Sequence, residues 1–501
     1  MNYRKLQNGS DIRGVAMEGV EGQPVNLTCE AVGDIARSFV LFLQEKFNKS
    51  DLRISVGRDS RLSGARLLNA AAEGVLSMGA DVTDFGLAST PSMFMSTVLP
   101  GYCYDGAIML TASHLPWNRN GIKFFTHDGG LEKVEIASIL ARAEENAFIP
   151  ARDRGRLDAT DFLSVYAQGL VDHIRLAVDA KDYDHPLKGF HIVVDAGNGA
   201  GGFFASEVLS PLGADTSGSQ FLDPDGRFPN HVPNPENETA MAAVTACVLE
   251  NKADMGVIFD TDVDRAGAVA ADGREINRNR LIALIAAVLL EEHPGTTVVT
   301  DSITSSGLAA FIAAKGGVHH RFRRGYKNVI DEAIRINREG RDCQLAMETS
   351  GHGALKENYF LDDGAYLITK LLIKMAQLRA QGRTLFSLID TLAEPAESTE
   401  VRMNLSAPDF AAYGNGVLRD LGAYAKAQNW DVAKENYEGI RVSFGSGEGD
   451  GWFLLRMSLH DPLMPLNIES NSPGGVHIIA QKLFAFLSAY GSLDTAALKN
   501  V

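Results

Sequence analysis

Three segments of this chain share one order of events: a short β-rich run ending in aspartate, a polar Gly/Ser turn, then a helical stretch. Arg53-Ile-Ser-Val-Gly-Arg-Asp59 leads into Ser60-Arg61-Leu62-Ser63-Gly64. His191-Ile-Val-Val-Asp195 leads into Ala-Gly-Asn-Gly-Ala-Gly-Gly, and Thr296-Thr-Val-Val-Thr-Asp301 into Ser-Ile-Thr-Ser-Ser-Gly. Strands that alternate with helices specify parallel or mixed α/β sheets. Three such openings predict three related α/β units. The last hundred residues have no fourth opening. Trp452–Ser458 and Met464–Glu469 read as two strands around a turn, and Val476–Tyr490 as a closing helix, so a smaller α+β domain is expected there.

At about 150 residues per domain, 501 residues suit three or four domains. Polar or Pro-containing stretches place the boundaries at 1–155, 156–272, 273–394 and 395–501. Lys+Arg is 47 against Asp+Glu 63, a net charge of −16. That balance argues against nucleic-acid backbones as partners, while leaving room for a locally basic pocket. Cys29, Cys103, Cys247 and Cys343 are far apart, which disfavours a zinc knuckle, a redox pair or a disulfide scaffold. Leu281–Leu290, the longest apolar run, is too short to span a bilayer and reads as a core helix. Asn2-Tyr3-Arg4-Lys5 carries no signal-like apolar stretch. The expected location is cytoplasmic, or an organelle stroma should a transit peptide precede this numbering. No membrane partner is expected, and the chain should be a monomer or homodimer.

Two clusters carry the chemistry. Thr111-Ala-Ser113-His114-Leu-Pro116 follows the apolar run Ala107–Leu110, so Ser113 sits just past a strand end, where α/β ligand sites gather. The blander reading is an ordinary Ser/Thr turn. Lys123 follows an Asn/Gly turn among apolar neighbours, a setting in which lysine usually snorkels to the surface. Asp260, Asp262 and Asp264 follow the apolar strand Met255–Phe259 and are succeeded by Arg265. Three carboxylates at alternate positions repel one another unless a cation joins them, and oxygen-only ligands suit Mg²⁺. An EF-hand is excluded, because its sixth position would be Arg265 and its twelfth Ala271. The competing reading is a solvated acidic turn.

Two weaker clusters follow. Glu348-Thr-Ser350-Gly351-His352 offers a carboxylate, a hydroxyl and an imidazole, a set suited to vicinal sugar hydroxyls. Arg456-Met-Ser458-Leu-His460 puts an arginine and a hydroxyl near a turn, as an anion clamp requires.

In this order the four clusters resemble those of the α-D-phosphohexomutase family, which includes phosphomannomutase/phosphoglucomutase and phosphoglucosamine mutase. Asp11-Ile-Arg13-Gly14, Gly57-Arg-Asp59-Ser-Arg61, Asp223-Pro-Asp-Gly-Arg-Phe-Pro-Asn230 and Asn234-Pro235 resemble its supporting motifs, so the likeness covers nearly the whole chain. It implies four domains around a central cleft, three of them α/β. It implies interconversion of hexose 1-phosphate and hexose 6-phosphate through a phosphoserine at Ser113 and a hexose 1,6-bisphosphate, which also serves as activator. One Mg²⁺ per chain would be held by Asp260, Asp262, Asp264 and the modified Ser113. Arg265 would lie beside the phosphoserine, with Arg13, His114, Lys123 and His352 completing the catalytic set. Glu348 and Ser350 would bind sugar hydroxyls. Tyr326 and Lys327 would form a substrate loop, and Arg456, Ser458 and His460 would clamp the non-reacting phosphate.

The chain departs from the family pattern at Leu459 and His460 in the clamp, at Met347 before Glu348, and at Tyr326, where a histidine is usual. All four lie in substrate recognition, so the expectation is intact phosphoryl chemistry with altered substrate preference. Phosphoglucomutase/phosphomannomutase activity is the leading expectation, with glucose, mannose and glucosamine all open. Two alternatives stand beside it. One is a degenerate scaffold that binds phosphosugars without turnover. The other is a haloacid-dehalogenase-type phosphatase using Asp260-Thr-Asp262 with Asp362-Asp363.

Overall fold

The computed structural model describes residues 2–458 and 461–501. It divides into two compact units, one of Met1–Leu281 with Ser350–Ser387, the other of Ile282–Thr349 with Leu388–Val501.

The first unit opens with β1 (Gln7–Asn8), β2 (Asp11–Val15), β3 (Arg53–Arg58), β4 (Asp81–Leu87), β5 (Gly106–Leu110), β6 (Arg119–Thr126), β7 (Gly129–Gly130) and β8 (Leu157–Ala159). They form one sheet in the order β1-β2-β6-β5-β3-β4-β8, with β7 paired to β6. β3 is parallel to both β4 and β5, whereas β6 runs antiparallel to β5 and β2. The sheet is therefore mixed. Helices α1 (Cys29–Phe47), α2 (Gly64–Ser77), α3 (Thr90–Val98) and α4 (Lys133–Glu145) accompany it. Ile54 and Val56 of β3 share a core with Ile35 and Phe39 of α1 and Leu67 and Val75 of α2. Fully burying each such side chain contributes about 1.5–3 kcal/mol. A Cβ on Gly74 would stand 2.4 Å from the Gly33 carbonyl, so glycine is what lets α1 and α2 meet. Thr28 caps α1 by accepting from the Ala31 N–H, and a Ser89/Ser92 capping box with Pro91 in the first turn starts α3.

A second sheet follows α5 (Phe162–Val178). It contains β9 (Ile192–Asp195), then, after α6 (Glu238–Asn251), β10 (Met255–Phe259), β11 (Ala266–Ala270) and β12 (Glu275–Ile276), in the order β12-β11-β10-β9. β9 and β10 are parallel, while β10 and β11 form an antiparallel hairpin in which every residue is buried. The helix expected after the second opening is irregular. Phe204–Leu209 forms a wide π-type turn and Ser210–Leu212 a 3₁₀ turn that ends at Gly213. Pro211 has no N–H with which to continue a helical ladder.

Helix α7 (Arg278–Glu292), in which Leu281–Leu290 are all buried, carries the chain from the first unit into the second. There β13 (Thr297–Asp301), β14 (Val318–Phe322) and β15 (Cys343–Met347) pair in parallel in the order β14-β13-β15, with α8 (Ser306–Ala314) and α9 (Tyr326–Arg338) between them in the chain. The chain returns to the first unit for the antiparallel pair β16 (Gly353–Leu355) and β17 (Leu361–Asp362) and for α10 (Gly364–Arg379). It ends in the second unit with β18 (Glu397–Asn404), α11 (Phe410–Ala427), β19 (Asp431–Val432), β20 (Ile440–Phe444), β21 (Gly451–Leu455), β22 (Leu463–Ser470) and α12 (Gly475–Leu487). That last sheet, β18-β22-β21-β20-β19, is antiparallel throughout, as expected of an α+β domain. No helix among the described residues is long and apolar enough to cross a membrane.

Candidate active site

Ser113 lies in the loop between β5 and β6, in the left-handed region with φ +50°. A serine there is strained, and such strain persists only where the surroundings impose it. Here Arg61 imposes it. Its fully buried guanidinium donates to the carbonyls of Ser113, Leu115, Pro116 and Arg119 and pairs with Asp59 at 3.2 Å. The Ser113 N–H is held by Thr111 Oγ1 at 2.9 Å. Arg13 grips the same loop, donating to the Thr111 carbonyl at 2.6 Å while pairing with Asp11 at 2.8 Å.

Asp260, Asp262 and Asp264 occupy the turn between β10 and β11. One oxygen from each lies within 4.8 Å of the others, and none of the three residues is more than 1% exposed. Val263 takes φ +66° within this turn, an outlier for a β-branched residue. Its carbonyl accepts from the Gly364 N–H, where any Cβ would meet the Arg265 backbone at 2.6 Å. Thr90, the first residue of α3, holds Asp262 twice, donating its N–H to the carbonyl and its hydroxyl to Oδ2.

The two loops meet. Ser113 Oγ donates to Asp260 Oδ2 at 3.0 Å, and Arg265 Nη2 donates to both, each at 2.9 Å. Arg265 also reaches Asn234 Oδ1 at 3.1 Å. Lys123, only 6% exposed, pairs with Asp264 and lies 3.7 Å from Asp262, so the surface-lysine reading fails. The solvated-turn reading of the aspartates fails with it.

Electrostatics divides the carboxylates. Burial, reinforced by the charge of Asp264, pushes Asp260 well above the usual carboxylate range. Asp264 goes the other way, because Lys123, His352 and Arg265 together outweigh its burial. The cluster thus relieves its own repulsion by unequal ionisation. Among the described residues, Asp262 Oδ1 and Asp264 Oδ1 are buried without a hydrogen-bond partner. Three hard carboxylates with two orphaned oxygens suit a small divalent cation such as Mg²⁺.

Two imidazoles border the cluster. His114 Nδ1 lies 2.8 Å from Arg265 Nη2 and 3.3 Å from Ser113 Oγ. Burial and the neighbouring Arg265 and Arg13 drive His114 down to about 3, so it is neutral and accepts at Nδ1. His352 Nδ1 faces Ser350 Oγ at 2.9 Å, and its Nε2 lies 3.6 Å from Asp264 Oδ1. Burial carries His352 to about 3 against the field of Asp264. Asp363, half of the acidic pair a phosphatase would need, instead caps α10 and accepts from the Tyr166 hydroxyl at 2.6 Å.

The second unit holds the remaining candidates. Gly325, at φ +112°, precedes Tyr326 and Lys327 in the first turn of α9, and its N–H donates to Glu348 Oε1 at 2.7 Å. Lys327 pairs with Asp331 at 3.1 Å. Glu438 Oε1 accepts from both the Arg324 N–H and Ser302 Oγ. Arg456 follows β21, is 6% exposed, and has an Nε with no hydrogen-bond partner among the described residues. Burial, with the nearby Arg324, lowers its pKa. Ser458 Oγ accepts from the Asp461 N–H at 3.2 Å. Leu459 and His460 lie outside the described residues. The structure thus joins Ser113, His114, Lys123, Arg265, the three aspartates, His352 and Ser350 in the first unit, and Glu348 with the Tyr326–Lys327 loop in the second. Sequence reasoning missed Thr90 and the role of Arg61. The Ser89-Thr90-Pro91 helix start was the available signal for the first.

Family models described as phosphoglucomutase/phosphomannomutase α/β/α domains I, II and III match residues 4–149, 166–273 and 277–395. The chain belongs to this family, the α-D-phosphohexomutases, and is an isomerase of the phosphohexomutase type. A phosphoglucomutase of Neisseria gonorrhoeae is 29% identical over 489 residues, covering 97% of each chain. A phosphomannomutase/phosphoglucomutase of Pseudomonas syringae pv. tomato is 30% identical over 465 residues, covering 92% of this chain and 90% of that one. A solved phosphoglucomutase/phosphomannomutase family protein of Burkholderia thailandensis superposes with a TM-score of 0.79 at 28% identity, covering 98% and 99% of the two chains. The phosphatase alternative is displaced.

Proposed function

We propose that this phosphohexomutase interconverts the 1- and 6-phosphates of glucose and mannose through a phosphoserine at Ser113 and a hexose 1,6-bisphosphate. The observation that carries the reading is the convergence of Ser113 Oγ, Arg265 Nη2 and Asp260 Oδ2 within 3.0 Å of one another. Phosphoryl transfer depends on an in-line oxygen and on neutralised charge more than on covalent chemistry. Asp260, Asp262 and Asp264 would hold Mg²⁺ together with the phosphoryl group on Ser113. When bound, the ion supplies positive charge to the phosphoryl oxygens.

The chain's own groups do the rest. The bond from phosphorus to Ser113 Oγ breaks as the bond to a sugar hydroxyl oxygen forms. The hydroxyl proton ends on Ser113 Oγ, and Lys123 or Arg13, each a cation paired with an aspartate, would relay it by giving a proton to the departing serine oxygen and taking one from the sugar hydroxyl. Arg265 neutralises the serine oxygen as it regains negative charge. Neutral His114 and His352 add no competing charge beside Lys123. After the first transfer the sugar turns over, and the second phosphate returns to Ser113. Glu348 and Ser350 would read hydroxyls common to both orientations, and Arg456 and Ser458 would clamp the idle phosphate. Residues 1–155, 156–272, 273–394 and 395–501 would be the four working segments.

A coupled assay supplying glucose 1-phosphate, mannose 1-phosphate and glucosamine 1-phosphate, each with glucose 1,6-bisphosphate, tests this. Turnover of the first two with phosphate on Ser113 is expected. Tight binding without turnover of any sugar would support the degenerate scaffold that Tyr326 and the altered clamp bring to mind.

A further inference from the structure

The second unit contains a cavity of about 390 Å³ that none of the proposed substrate residues lines. Its wall includes Arg321 of β14, Arg441 of β20, His319, Phe322, Tyr437 and Trp452. That volume is in the range of sites for small organic molecules.

The two arginines are the unusual feature. Arg441 is 8% exposed, and its guanidinium carbon lies 3.5 Å from the Trp452 ring centroid. It donates to the carbonyls of Ser302 at 2.7 Å and Thr304 at 3.2 Å. Arg321 donates to Thr304 Oγ1 at 3.1 Å and to the Ser305 carbonyl at 2.7 Å. One short loop, Ser302–Ser305, therefore draws both cations together. Among the described residues, neither has a carboxylate within ion-pair distance. Glu469 and Asp301, whose fields reach them, are engaged by Trp452 Nε1 and by Thr349. Glu435, also on the lining, is largely exposed and faces His320, and Asp450 accepts from Ser472. His319 Nε2 pairs with Thr300, while its Nδ1 is buried without a hydrogen-bond partner among the described residues.

A buried cation is ordinarily paired. Each guanidinium carries five N–H donors; among the described residues the bonds of Arg321 come from Nε and Nη2 and those of Arg441 from Nη1 and Nη2, which leaves Arg321 Nη1 and Arg441 Nε without one. Burial lowers Arg321 to about 10, and burial together with the charge of Arg321 lowers Arg441. A dianion would reverse that penalty. On the lining, the Phe322 and Tyr437 rings, with centroids 4.7 Å apart, offer apolar surface for an organic body.

We propose that this cavity binds a small phosphate monoester, its phosphate between Arg321 and Arg441 and its organic part against Phe322 and Tyr437. The assignment does not depend on which sugar the enzyme turns over.

Phenyl phosphate is a suitable probe, because it has the charge and the ring but no sugar hydroxyls. Isothermal titration of the full chain would compare wild type with R321M, R441M, R456M and A309E. Ala309 lines the cavity from α8, so A309E brings a carboxylate to the two arginines and leaves both in place. Binding should survive in R456M, weaken at least about tenfold in R321M and R441M, and vanish in A309E without a fall in melting temperature. Should either arginine variant fail to fold, A309E still decides. Undiminished binding in A309E, loss in R456M alone, or no binding to wild type in the millimolar range would overturn the assignment.

Discussion

Ser113 Oγ donates to Asp260 Oδ2 across 3.0 Å, joining a strained turn to a carboxylate 147 positions away. The backbone at Ser113, φ +50°, is one that glycine adopts without penalty. A serine held there is a functional choice made against local stability. Ser113→Ala should lower mutase turnover by at least about 10³-fold. Ser113→Gly should be equally inactive yet more stable than Ser113→Ala by about 1 kcal/mol, as read by denaturant unfolding. Equal stability of the two variants would mean that the turn is unstrained.

The aspartate cluster makes a prediction independent of activity. With two carboxylate oxygens orphaned and burial opposing ionisation of Asp260, a divalent cation should stabilise the fold. At a hundred times its dissociation constant the gain is about 2.7 kcal/mol. Mg²⁺ should raise the melting temperature of wild type and leave Asp262→Asn nearly unmoved. A matching rise in both proteins would place the cation elsewhere.

Much of this site could be read from the chain because its parts are short contiguous turns. Thr111–His114 and Asp260–Arg265 each place several chemical groups within a few residues of a strand end, and the strands β5 and β10 were visible as apolar runs. Arg61 was legible only as part of a motif. It acts through four backbone carbonyls, which leave no mark on the residue types that present them. Thr90 reaches Asp262 across 172 positions, a contact that only tertiary structure creates. The stretch after β9 reads as helical from its apolar content, and it is helical, but as a π-type turn and a 3₁₀ turn, a distinction that residue composition does not carry.

Arg61 invites a direct test. Replacing it with methionine leaves Asp59 buried and unpaired and four loop carbonyls without their donor, a loss of about 3–5 kcal/mol. Arg61→Lys should rescue little, since a compact ammonium cannot span the same four acceptors. Thermal unfolding would report the stability. Phosphorylation of Ser113 by glucose 1,6-bisphosphate, followed by mass spectrometry, would report whether the loop keeps its shape. Full rescue by lysine would reduce Arg61 to a counter-ion for Asp59.

His231 supplies a pH dependence from a residue outside the aspartate trio. Its Nε2 lies 3.0 Å from both oxygens of Asp195, and its Nδ1 lies 3.0 Å from the Val232 carbonyl. With acceptors facing both ring nitrogens, the doubly protonated imidazolium fits this setting. Burial disfavours the charge, but the hydrogen bond and charge of Asp195 overrule it and raise the pKa above its ordinary value. The folded state therefore binds the proton more tightly than the unfolded chain. The resulting stability is fully present below about pH 6.5 and is lost as pH rises through the raised folded value. Unfolding free energies measured from about pH 6 upward should fall in wild type as the pH passes through the raised folded value. His231→Gln, which keeps one donor toward Asp195 and cannot titrate, should flatten that part of the profile. A wild-type curve that rises over this window would show that His231 is neutral in the fold.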